Sequence, residues 1–291
     1  MSYNYIFTVT TGRSGQETLY KTIKKYTLAC FCEFEPPNIN PILPSFLGEI
    51  EKKIRRKFLE KNELLGRGKV ITAFENGEVN YIKNIASRRL KSINTNLAKA
   101  NANYYFDISK FYARGLHLGF NELIGSYSLV FLVRDPLLNM RSFINRNKIF
   151  ELDNSLPSAK SNILIMNEKN FSKEEYYLWS WSEIFLRFKE MEKSKQVKKS
   201  LVFKTEDLDS PRKIELLLSD LGIQYMNIEE VKKVNTNVCA GNKKTIVKKK
   251  DLGILKNFIL KVPDTYKELK NELTASLKKN EDLNESLLSD N

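Results

Sequence analysis

The amino-acid sequence predicts a three-layer α/β/α domain built on a central parallel sheet. Short apolar runs rich in β-branched and aromatic residues recur at "YIFTVT" (5–10), "KVITAF" (69–74), "YYFDIS" (104–109), "SLVFLV" (128–133) and "SLVFKT" (200–205), and each reads as a buried strand. Helical patterns fall between them at 15–29, 78–99, 135–147, 173–195 and 210–221. Strands alternating with helices argue for a parallel sheet covered on both faces.

Taken in order, the first strand runs into "TGRSGQET", a glycine-marked turn that opens the first helix. The stretch 33–48 holds half of the chain's eight prolines and is expected to be a fixed loop beside that helix. After "SLVFLV" comes "RDPLLNMRSFINR", where Asp135 is placed to cap a helix that starts at Pro136. Leucines 269, 273, 277, 283 and 287 with charges between them predict a terminal amphipathic helix over 264–288. One domain is expected over 1–291, with a core over about 5–245 and a helical extension over about 251–291.

With 291 residues and 42% hydrophobic content the chain can bury a continuous core, and its formal charge of +13 favours anionic partners: nucleic acid, an acidic membrane surface or a phosphorylated small molecule. The basic clusters, Lys52 to Lys57, Lys243 with Lys244, and Lys248 to Lys250, have the form of solvated helix faces or loops. Cys30, Cys32 and Cys239 form neither a disulfide framework nor a zinc pattern. The N-terminus lacks a signal-peptide pattern, and "YYLWSWSEIFLRF" is broken by charges and too short to span a bilayer, so a cytoplasmic protein is expected.

The first loop aims backbone N–H groups and the positive end of a helix at one point, an arrangement suited to phosphate. A nucleotide kinase would carry GxxxxGK[ST] here, but Gln16 follows Gly15 and the next lysine is Lys21. Arg13 offers a planar fork for two oxygens instead, with hydroxyls from Ser14 and Thr18. A second clamp for phosphate is read at Arg134, at the end of its strand, and Ser142, two turns into the following helix.

These residues resemble the motifs of the sulfotransferases that use 3′-phosphoadenosine 5′-phosphosulfate (PAPS), which fold as P-loop nucleotide-binding domains. "TGRSG" is similar to the family's 5′-phosphosulfate loop, and "RDP" followed by a serine is similar to its 3′-phosphate motif. "VFKTEDL" at 202 and "VNTNVCAGNKK" at 234 are similar to its "EDL" strand end and its basic nucleotide-covering loop. "CEFEPPNINP" is similar to the "HEP" loop of bacterial members, and "YYFDISKFYARGL" to their "ETSHLF" strand.

The resemblance implies that Arg13, Ser14, Gly15, Gln16, Glu17 and Thr18 hold the 5′ end of PAPS. Arg134 and Ser142 then hold the 3′-phosphate, and Asn242, Lys243 and Lys244 cover the nucleotide. The family usually has threonine where this chain has Gln16 and often again at Glu17, and histidine where it has Phe34 and Lys110.

Glu35, on its proline-stiffened loop, is the expected catalytic base. Arg13 stabilises the leaving group, Lys110 assists the transferring group, and His117, the chain's single histidine, is the fallback base. Transfer is expected to need no metal, because the sulfuryl group carries less charge than a phosphoryl group. The expected acceptor is a hydroxyl, on a glycan or glycolipid precursor before a small alcohol or phenol. A P-loop nucleotide kinase and a non-catalytic nucleic-acid-binding protein are the competing readings; no nucleic-acid motif supports the latter, and oligomeric state is not read.

Overall fold

The computed structural model describes residues 3–34, 47, 50, 51, 54, 69–145, 156–167, 169, 171–231 and 245–289. Five strands, β1 (Asn4–Val9), β2 (Cys30–Phe34), β3 (Tyr104–Ile108), β4 (Tyr127–Val133) and β5 (Val197–Lys204), form a wholly parallel sheet in the order β2-β3-β1-β4-β5. The helices whose bounds lie within the described residues are α1 (Gln16–Tyr26), α2 (Lys69–Glu75), α3 (Val79–Lys99), α4 (Leu116–Leu123), α5 (Pro136–Ile144), α6 (Lys173–Met191), α7 (Pro211–Asp220), α8 (Lys249–Lys261) and α9 (Lys267–Ser289). The layered α/β/α architecture follows the sequence reading.

Successive residues of a strand face opposite sides of the sheet, and both sides are covered. Phe7 and Val9 of β1, with Tyr105, Leu129 and Phe131, meet α3, α4, α5, α6, α8 and α9. Ile6, Phe106, Ile108, Val130 and Leu132 point the other way, against Leu19 and Ile23 of α1 and Ile214 and Leu218 of α7. This double burial makes the central strands largely apolar, with Thr8 of β1 and Asp107 of β3 the buried polar exceptions. The edge strand β5 instead exposes Lys198 and Lys199, side chains that discourage pairing with another chain.

Two elements differ from the sequence reading. "KVITAF" is helical: Val70 and Ala73 are buried at a spacing of three residues, and α2 closes over Gly115, whose added Cβ would stand 3.0 Å from Phe74 Cβ and 3.2 Å from Val70 Cγ1. Packing on a 3.6-residue face here outweighs the β preference of valine, isoleucine and threonine. "CFCEF" is strand β2, so Glu33 and Phe34 belong to the sheet rather than to the proline-rich loop. As a short edge strand with only Cys32 buried, it carries little apolar signal.

The prolines' segment and the loop 234–244 lie outside the described residues. Among those described, no helix is long and apolar enough to cross a membrane.

Helices α3 and α4 approach so closely that a Cβ on Gly119 would lie 2.6 Å from Ala86 Cβ and 2.9 Å from the Ile82 carbonyl oxygen. Gly119→Ala would gain about 1 kcal/mol of helix propensity. With the Lys83 Cα also only 3.1 Å away, the clash falls largely on backbone. That puts it at the upper end of the about 1–3 kcal/mol that overpacking costs, so it exceeds the gain and the variant melts a few degrees lower. A melting temperature equal to or above wild type contradicts this packing.

Candidate anion-binding site

A parallel sheet sends every strand's carboxyl end to the same edge, and ligands bind there where adjacent strands send the chain in opposite directions. β1 and β4 are such a pair: the chain leaves β1 towards β2 and leaves β4 towards β5. The loop after β1 and the start of α5 therefore face each other.

The loop is wound tightly. Gly12 (φ 89°), Arg13 (φ 59°) and Gly15 (φ 80°) all adopt positive φ. A non-glycine residue in this region is strained, and such strain is kept where surrounding contacts impose it. Gly15 is required twice over, by its φ and because a Cβ would fall 2.2 Å from Leu208 Cδ1 in the turn Thr205–Asp209.

The contacts that impose the shape fall on the loop's carbonyls. Arg114 Nη2 donates to the Thr11 carbonyl at 3.1 Å, and Asn139 Nδ2 to that of Gly12 at 2.9 Å. Arg134 Nη1 donates to the Arg13 carbonyl at 3.3 Å, and Thr205 Oγ1 to that of Ser14 at 3.1 Å. In a planar trans peptide the N–H points opposite to the C=O, and no cis peptide is present among the described residues. Tying back four successive carbonyls turns the amides of residues 12–15 away from those donors, at the N-terminus of α1, although that of Gly12 is already taken by Thr10 Oγ1 at 3.4 Å. That is an electropositive concavity fit for an anion.

The side chains converge on the same place. Arg13 Nε donates to Ser142 Oγ at 3.1 Å, which joins the two motifs across 129 positions of sequence. A Cβ on Gly12 would lie 3.5 Å from Lys110 Cδ and 3.7 Å from Gln16 Oε1, so both residues border the loop. Gln16 is 6% exposed, and its Nε2 has no hydrogen-bond partner among the described residues. A buried donor without an acceptor costs about 1–3 kcal/mol, which an incoming anion would offset. Burial lowers the Arg134 guanidinium from its ordinary pKa, with Glu206 and Asp135 acting against it.

Several expected site residues sit elsewhere or differently. Ser14 is fully buried and donates to the Gly12 carbonyl at 3.2 Å. Glu17 pairs with Lys21 one turn along α1, at 3.0 Å. Thr18 is buried and its carbonyl accepts from Thr22 Oγ1 at 2.9 Å. Glu35, Asn242, Lys243 and Lys244 lie outside the described residues.

Trp179 and Trp181 are core residues, donating to the carbonyls of Leu164 (2.8 Å) and Arg134 (2.9 Å). Burial raises the pKa of both β2 thiols, that of Cys32 to about 12, which leaves them protonated and inert at neutral pH.

Arg114, Asn139 and Thr205 were not anticipated. Asn139 had a signal, since it lies four residues after Asp135 and three before Ser142, on one face of a helix. Thr205 directly precedes the "EDL" run. Arg114 had none, because only the folded chain brings it under residue 11.

His117 is placed for packing. Its Nδ1 lies 3.2 Å from the Tyr112 carbonyl and its ring meets those of Phe74 and Tyr112 edge-on. Burial, with Arg187 nearby, lowers its pKa from 6.5 to about 3, so it is neutral and a weak base. The neutral form is the one the fold favours. Stability from this group is therefore complete above pH 6.5 and is lost as pH falls towards 3. Because the residue is partly exposed, the loss by pH 5 should be on the order of 1 kcal/mol. As this is the chain's single histidine, His117→Gln should flatten the melting temperature between pH 7 and 5; an unchanged slope contradicts the assignment. Neither protein-family models nor curated proteins give a match to this chain.

Proposed function

We propose that this chain is a sulfotransferase that moves the sulfuryl group of PAPS to a hydroxyl of an acceptor, a sugar hydroxyl of a glycan or glycolipid precursor being the first choice. The observation that carries the reading is the Arg13–Ser142 contact at 3.1 Å, which joins the loop here assigned to the 5′ end of PAPS to the helix here assigned to its 3′-phosphate. PAPS has anionic groups at both ends of one ribose and needs two such arms at a fixed spacing.

A kinase reading lacks the lysine that reaches terminal phosphates: Gln16 stands there, and Lys21 is engaged by Glu17. The orphaned Gln16 donor fits a bound anion, taking the place of the hydroxyl that similar loops offer.

In this reading the loop amides, Arg13 and Gln16 take up charge on the departing phosphate as its S–O bond breaks, and Lys110 steadies the sulfuryl oxygens. Arg134 and Ser142 hold the 3′-phosphate, with Asn242, Lys243 and Lys244 closing over the nucleotide. Glu35 accepts the acceptor's proton while the acceptor oxygen bonds to sulfur. A cytoplasmic location fits this chemistry, and no divalent ion is required by it.

Arg134→Ala should weaken adenosine 3′,5′-bisphosphate binding by about 1.5–3 kcal/mol, roughly ten- to a hundredfold, and abolish preference over adenosine 5′-monophosphate. Calorimetry decides it, and equal affinity in wild type and variant rejects the 3′-phosphate site. A thermal-shift comparison of the bisphosphate, ATP and single-stranded DNA on wild type separates this reading from kinase and nucleic-acid binder. Glu35→Gln should keep nucleotide affinity while single-turnover transfer slows at least about a hundredfold. Transfer within a few-fold of wild type removes Glu35 from the role.

A further inference from the structure

The second anion arm is held from behind by the C-terminal helices. Asp135 sits between Arg134 and α5 and uses both carboxylate oxygens. Its Oδ1 caps α5, accepting from the amides of Leu137 at 3.0 Å and Leu138 at 3.1 Å. Its Oδ2 accepts from Ser276 Oγ at 2.7 Å and Asn280 Nδ2 at 3.2 Å, both on α9. The carbonyl one residue back is fixed by Trp181 Nε1.

Ser276 and Asn280 interrupt the buried stripe of Leu269, Leu273 and Leu277, and are themselves 6% and 4% exposed. Polar groups in such a stripe carry a desolvation penalty that apolar residues would avoid. Here both donate to one carboxylate, Asn280 Nδ2 donating also to the Ser276 carbonyl at 2.8 Å. A second tie fastens the same helix to α8: Arg141 of α5 makes a buried, two-pronged ion pair with Asp251, which caps α8 by accepting from the Lys248 amide at 2.8 Å. Helix α5 carries Ser142 and starts beside Arg134, so fastening it at both Asp135 and Arg141 fixes the position of the whole arm.

We infer that the α8–α9 pair is a positioning clamp for nucleotide recognition, in which Ser276 and Asn280 act through Asp135 to keep Arg134 and Ser142 at the spacing of a 3′-phosphate. The inference rests on the PAPS reading, and it assigns these two residues to selectivity for the 3′-phosphorylated nucleotide rather than to chemistry.

The test uses the full chain with Ser276→Ala and Asn280→Leu together, substitutions that match the surrounding stripe, and calorimetry with adenosine 3′,5′-bisphosphate and adenosine 5′-monophosphate. The bisphosphate should bind roughly tenfold more weakly while the monophosphate is unchanged within about twofold. Ser276→Thr, which retains the hydroxyl, should keep wild-type selectivity. If both ligands weaken in parallel, or neither does, the clamp is overturned and the contacts are structural only. If the double variant does not fold, Ser276→Ala alone is measured, and a selectivity loss under about twofold has the same meaning. A wild-type chain with no preference for the bisphosphate overturns the PAPS reading itself, and the clamp with it, which distinguishes the two failures.

Discussion

The parallel sheet is the constraint from which the site follows. Parallel register places Val9, Ile108, Val133 and Lys204, with the residues after each, at one edge, and the strand order sets β1 beside β4 there. Residues 10–16, 109–110, 134–142 and 205 are brought together by topology, before any attraction between their side chains. The crossovers needed to join parallel strands also supply the helices that bury both faces. Double burial in turn leaves the strand ends as the place where polar groups can collect.

Electrostatics at that edge depends on orientation more than on net charge. The chain's formal +13 is carried by many lysines that face solvent, and it says little about the site. At the loop, Arg114 and Arg134 donate to carbonyls, as do Asn139 and Thr205, and these bonds turn the loop's amide dipoles outward. A guanidinium suits this work because its several N–H groups let it bind a carbonyl and retain donors for another partner. Lysine could supply the charge without the fork.

Much of this was legible in the sequence and some of it was not, for definable reasons. Asp135 capping α5 and Pro136 opening it are local facts, written in adjacent residues. β1, β3 and β4 were legible because double burial makes them largely apolar, and the edge strand β5 because it keeps the run Leu201, Val202 and Phe203. "KVITAF" misled because its packing partners, around Gly115, are distant in sequence and impose a helical face on strand-forming residues. The pairing of Arg13 with Ser142 was foreseeable only as two motifs of complementary chemistry. Their contact is a product of strand order. Arg114 was illegible altogether, as its role depends on a backbone carbonyl that no sequence pattern marks.

A chain of buried polar contacts links the core to the loop and gives a reason for charges inside the domain. Glu183 of α6 accepts from the amides of Ile163 and Leu164 at 3.1 and 2.8 Å and pairs with Arg187 at 2.6 Å. Arg187 Nη1 then donates to the Ala113 carbonyl at 2.8 Å, and the next residue, Arg114, holds the Thr11 carbonyl at the base of the loop. Burying an ion pair seldom stabilises a fold more than apolar packing of the same volume would. What such a pair offers is direction, since its hydrogen bonds are satisfied in one geometry and broken in others. The Glu183–Arg187 pair fixes residue 113, that residue fixes the base from which Arg114 reaches residue 11, and the loop inherits its shape from the core. The backbone amides of the loop cannot change rotamer when an anion arrives, so the precision of that part of the site has to come from this kind of support beneath it.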